Sequence, residues 1–100
     1  MSSKEAVAIE TTINIKWPSK YNVILHNDDS TPMGFVIQLL VGVFGHNQEQ
    51  AEQITMEVHT NGKGIAGIYP YEIAEQKVHE ATMVSRANGF PLTLTTEKAD

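Results

Sequence analysis

The sequence predicts an α+β fold. It reads as one small domain in which a three-stranded antiparallel sheet packs on three helices, in the order β-α-α-β-α-β, behind a flexible N-terminal extension. Three observations lead there. Short stretches alternate apolar and polar residues, as half-buried strands do, and longer ones repeat apolar residues every three or four positions, as amphipathic helices do. Gly, Pro and Asn/Asp clusters separate the two kinds. Finally, 100 residues leave room for a single core, and one sheet covered by helices buries all these faces compactly.

Residues 1–18, "MSSKEAVAIETTINIKWP", have weak periodicity and many small or polar side chains, and Trp17-Pro18 breaks the chain before any clear strand pattern. They read as the extension, and residues 19–100 as the core domain. "KYNVILHN" opens the core as a strand, with Val23 and Leu25 on its apolar face. In "PMGFVIQLLVGVF" Met33, Val36, Ile37, Leu40 and Phe44 keep helical spacing. Thr31 suits the N-cap of that helix, Pro32 its first position and Gly45 its C-terminal stop. Asn47 and Gln50 form a capping box for a second helix striped by Ala51, Ile54 and Val58. "TNGKG" is a turn, and "GIAGIY" a short strand whose glycines predict close backbone approach. The third helix runs from Tyr71 towards Asn88-Gly89, with Glu72 and Glu75 early and Arg86 late, as its dipole prefers. "PLTLTTE" closes the core as a strand with Leu92 and Leu94 on a dry face.

Composition excludes several functions. Seven Lys/Arg against twelve Asp/Glu give a net charge of -5, with no basic cluster to displace counterions from a nucleic acid. A cationic ligand, such as a free peptide amine, matches better. The absence of cysteine removes disulfides and thiolate metal sites. No stretch is apolar enough to span a bilayer, and no signal peptide is visible, so the cytoplasm is the expected compartment.

Chemistry concentrates in "HNDDSTPM". The helix start needs one capping residue, and the surplus of polar groups asks for a partner. Asp28 and Asp29 form a candidate carboxylate pair, although neighbours on a turn tend to point apart. His26, His46, His59 and His79 fit no zinc spacing, and three of them, His26, His46 and His79, read as solvated. His59 shares a face of the second helix with Ala51, Thr55 and Val58 near its C-terminal dipole. If the first two helices form a hairpin, the acidic turn, Met33, Val36, Val58 and His59 surround one hollow. Its walls are apolar and its rim offers acceptors to a cation.

At these residues a resemblance enters. "YNVILHNDDSTPMGFVIQLL", "VHTNGKGIAGIY", "EIAEQKV" and "PLTLTTEKA", in this order, resemble the ATP-dependent Clp protease adaptor family ClpS over about residues 20–99. The resemblance implies a monomeric adaptor, without enzymatic activity or cofactor. It would bind destabilising N-terminal residues (Phe, Tyr, Trp or Leu) of substrate proteins and deliver them to the ClpA unfoldase of ClpAP. By matching positions it implies that Asn27, Asp28 and His59 receive the α-amino group. Met33, Val36, Thr55, Val58 and Leu92 would line the side-chain pocket, with Asp29 and Thr31 at the peptide entrance. Glu72 and Lys77 would dock on the N-terminal domain of ClpA. Two positions depart from the family pattern: Ser30 replaces a frequently aromatic residue, and Thr55 a Met or other bulky apolar one. The alternative function is a small metal-dependent or acid/base hydrolase using Asp28, Asp29 and His59.

Overall fold

The computed structural model describes residues 19–99. The extension at 1–18 lies outside the described residues. The core runs β1 (Lys20–His26), α1 (Met33–Gly42), α2 (Gln48–Asn61), β2 (Lys63–Pro70), α3 (Tyr71–Ala87) and β3 (Thr93–Lys98), the predicted order. The sheet is antiparallel throughout, with strand order β2-β1-β3.

β1 is therefore central. Tyr21–His26 pair with β3 on one side, and Lys20–His26 with β2 on the other. A bulge in β2 at Ala66 separates the Val23–Gly67 and Ile24–Ile65 pairs, keeping Ala66 turned inward and fully buried. The apolar face expected of β1 is present, but Ile24 on the opposite face is buried as well as Val23 and Leu25. A central strand has neighbours on both sides, and Ile65 and Thr95 flank Ile24.

The core gathers Val23, Leu25, Ala66 and Leu94 from the sheet, with Val36, Leu39, Leu40, Ala51, Val58, Ala74 and Ala81 from the helices. Ala51, Ala66, Ala74 and Ala81 are fully buried; such small side chains let backbones approach closely. Glycine serves the same end where β2 meets α2. A Cβ on Gly64 would stand 2.9 Å from Val58 Cγ2, so the close approach predicted from "GIAGIY" is real.

The capping box is present: the Gln50 amide donates to Asn47 Oδ1 (2.8 Å) and the Asn47 amide to Gln50 Oε1 (3.3 Å). Three other expectations are corrected. Thr31 does not cap α1. The N-cap is Pro32, whose carbonyl accepts from Phe35 and Val36 (3.1 and 3.2 Å), because Thr31 is already engaged by Asp28. α1 ends at Gly42, before Gly45. Val43 and Phe44 form a buried turn, and Gly45 (φ 72°) supplies the left-handed residue of the connection. His46 is not solvated, since its Nε2 donates to the carbonyl of Ala66 and ties the α1–α2 connection to the bulge.

The buried alanines leave no slack between α3 and the sheet. Ala81→Leu is expected to cost about 1–3 kcal/mol in urea unfolding, whereas an unchanged midpoint would mean that α3 sits further from the sheet than described.

Candidate functional site

Two hydrogen bonds bring the ends of β1 and α2 together. Gly62, the left-handed C-cap of α2 (φ 88°), donates its N–H to the Val58 carbonyl at 2.9 Å. Its own carbonyl accepts from the Asn27 amide, also at 2.9 Å. The last turn of α2, with Val58 and His59, is thereby stapled beside the polar turn that follows β1.

Asp28 shapes that turn. Its Oδ1 accepts from the amides of Ser30 and Thr31 (2.8 Å each), and its Oδ2 accepts from the Thr31 hydroxyl at 2.7 Å. Burial alone would raise the pKa of this carboxyl. The Thr31 hydroxyl, the two backbone N–H groups and the charge of Arg86 outweigh burial and hold it below the usual carboxylate value. An ionised carboxylate offers about four lone-pair sites, so three local bonds leave one on Oδ2 for a further donor.

Between the acidic turn and α2 lies a hollow of about 260 Å³, counting its open mouth. Leu25, Met33, Val36, Val58 and Leu92 supply apolar lining, and Asn27, Asp28, Thr31 and His59 supply polar groups. Thr55 completes the wall. It is 4% exposed, and its hydroxyl donates to the Ala51 carbonyl at 2.7 Å. The polar atom is thus satisfied within the helix. The C-terminal end of α2, where unpaired carbonyls carry partial negative charge, adds to a site suited to a cation beside an apolar group.

Nearly every residue expected in the site lines this one hollow. Asp29 does not: it is exposed and outside the lining, so Asp28 and Asp29 do not face the hollow as a pair. Glu72 and Lys77 lie on α3, away from the hollow. Glu72 is exposed, while Lys77 Nζ donates to the Val43 carbonyl at 2.8 Å and secures the end of α1. Leu25 and His26 also line the hollow but were not expected there. Strand alternation turned Leu25 inward without showing what it would face. His26 bonds the Thr95 hydroxyl on β3 (2.7 Å), a pairing that no local pattern reveals. Among the described residues, no group of three His, Cys, Asp or Glu side chains could hold a metal ion, and no helix is long and apolar enough to cross a membrane.

Comparison with known proteins places the chain in a family. A sequence model of the family described as ATP-dependent Clp protease adaptor protein ClpS matches residues 16–95. The chain belongs to the ClpS family. The ClpS of Clostridium acetobutylicum, named as an ATP-dependent Clp protease adapter, is 52% identical over 81 residues, covering 81% of this chain and 80% of the relative. That of Shewanella pealeana is 48% identical over 85 residues, covering 85% and 83%. The structure of Agrobacterium tumefaciens ClpS2 bound to L-phenylalaninamide superposes with a TM-score of 0.79 at 38% identity, covering 82% of this chain and 99% of that one. These relatives carry the name of a protease adaptor, and the ClpS fold expected from the sequence is the one observed.

The Asp28 turn separates two roles of one carboxylate. Asp28→Asn keeps an oxygen for the Ser30 and Thr31 amides, whereas Asp28→Ala strands both N–H groups. At neutral pH Asp28→Ala is expected to lose about 1–2 kcal/mol, as a lost cap does, and Asp28→Asn clearly less. The folded pKa lies below the unfolded value of about 3.9. Stability from the charge is thus fully present above that pH and is lost as pH falls through the lower folded value. Urea midpoints followed into acid should therefore decline less in Asp28→Asn than in the parent; superimposable acid limbs would count against this role of the charge.

Proposed function

We propose that the hollow receives the first residue of a protein chain and that this ClpS presents such substrates to the Clp machinery. The α-ammonium group sits among Asn27, Asp28 and His59, donating to an amide oxygen, the free Oδ2 lone pair and a neutral imidazole nitrogen. The side chain enters between Met33, Val36, Thr55, Val58 and Leu92, and the chain leaves past Thr31 with Asp29 outside it.

One observation carries this reading: cation acceptors and an apolar pocket open into the same hollow. The ligand of the Agrobacterium ClpS2 supports it. L-Phenylalaninamide has a free α-amino group and an amide in place of its carboxyl, so it stands in for the start of a peptide. Delivery belongs to the same proposal. Glu72 and Lys77 of α3 dock on the N-terminal domain of the ClpA unfoldase, and residues 1–18 serve transfer rather than substrate binding. The site of action proposed is the cytoplasm.

A peptide beginning with Phe, titrated against its N-acetylated form, tests the core of the proposal. Acetylation removes the charge and the charge-assisted hydrogen bonds. Affinity is expected to fall at least about a hundredfold; equal binding of both forms would overturn the proposal. A hydrolase using Asp28, Asp29 and His59 would instead cleave its substrate.

Thr55 refines the preference. With its hydroxyl turned to Ala51, it presents a short apolar wall that leaves more room than Met. A ring fills this space better than Leu does. Phe is expected to outrank Leu by about 1 kcal/mol, roughly fivefold, and Thr55→Met to move the balance back towards Leu. The same Phe-to-Leu ratio in both proteins would show that Thr55 does not set it.

A further inference from the structure

Arg86, in the last turn of α3, is exposed, and so far only its charge, felt by Asp28, has entered the site. Its Nη1 donates to two carbonyls at once, those of Phe90 and Leu92, each at 2.9 Å. These carbonyls belong to the irregular segment between α3 and β3. That segment is also fixed by the Phe90 amide, which donates to Ser85 (2.9 Å), and by the edge-on packing of the Phe90 ring against Phe35 at 4.8 Å.

The segment matters because Leu92, 1% exposed, forms one wall of the hollow. Leu92 precedes β3, and the guanidinium holds its carbonyl. The same group borders the acidic turn: Arg86 and Ser30 line one surface depression together with Gly89, Phe90 and Pro91. Its charge is also among the influences that keep Asp28 ionised. Arg86 thus stands behind both the Leu92 wall and the Asp28 rim, while its side chain stays outside the hollow's lining.

We propose that Arg86 is a positioning residue of the substrate site: by holding the Phe90 and Leu92 carbonyls beside the acidic turn, it fixes the hollow to the width that a large apolar first residue fills. The inference rests on the reading of the hollow as a first-residue site. A planar guanidinium suits the task, because the two N–H bonds of Nη1 are fixed in its plane and reach one carbonyl each; an ammonium group is a flexible point charge without that fixed geometry.

The test uses the full chain as parent, Arg86→Lys and Arg86→Gln, under conditions where urea curves show all three folded. Peptides beginning with Phe or Ala, and N-acetylated Phe, are titrated, the Ala peptide by competition. Arg86→Gln is expected to weaken Phe binding about tenfold. The ratio of Phe to Ala affinity should fall at least about threefold, and Arg86→Lys should recover part of both losses. A merely structural role would lower the urea midpoint and leave the ratio unchanged in folded protein. If the parent discriminates free from acetylated Phe and both variants keep its affinity and ratio within about twofold, this inference is overturned and the site reading stands. If the parent does not discriminate, the site reading falls and the inference with it.

Discussion

The backbone hydrogen bond from Asn27 to Gly62 is the contact on which the arrangement depends. It costs no side chain and joins the two places where regular structure stops, the end of β1 and the end of α2. Because Gly62 adopts a left-handed conformation, its carbonyl can turn towards Asn27 while its N–H still closes the last turn of α2. The apolar wall at Val58 and the polar groups at Asn27 and His59 are consequently held at one spot by backbone geometry. Side chains then need only small adjustments to meet a ligand, which limits the ordering entropy lost on binding.

Several residues serve fold and site together. The carboxylate of Asp28 organises the turn with most of its lone pairs and leaves part of its capacity to the hollow. Val58 belongs to the core and also faces the pocket, with Gly64 packed closely behind it. Thr55 places a polar atom in an apolar wall and satisfies it one turn back along its own helix. Membership of the ClpS family gives this double use a setting: a domain this small has few residues to reserve for binding alone.

Local patterns carried most of the fold. Periodicity located all six elements, and Asn47 and Gln50 form the capping box their spacing promised. The site was legible in part from the same source, because a helical hairpin brings Met33 and Val36 near Val58 and His59. Leu92 as a pocket wall, and the assignment of the α-amino group to Asn27, Asp28 and His59, entered only through resemblance to ClpS. Legibility ended where partners are distant in sequence. Thr31 looked like a cap because nothing local shows that Asp28 binds its hydroxyl and amide. His46 looked solvated because its partner, Ala66, follows a helix and a turn later. Lys77 reaches Val43 from 34 residues away, a contact with no signature in spacing.

The position of β1 bears on the birth of the protein. The first strand of the core lies in the middle of the sheet, and one of its two neighbours is the last strand. During synthesis β1 emerges early, gains β2 after the helical hairpin, and must wait for β3 with one edge uncovered. An unpaired strand edge is a template for misassembly. The same delay governs the hollow, since Leu92 and the carbonyls gripped by Arg86 come from the final stretch of the core. A nascent chain therefore has no complete hollow until those residues clear the ribosome, and a chain released before Leu92 has neither a finished sheet nor a finished pocket. The hollow arrives with the completed fold.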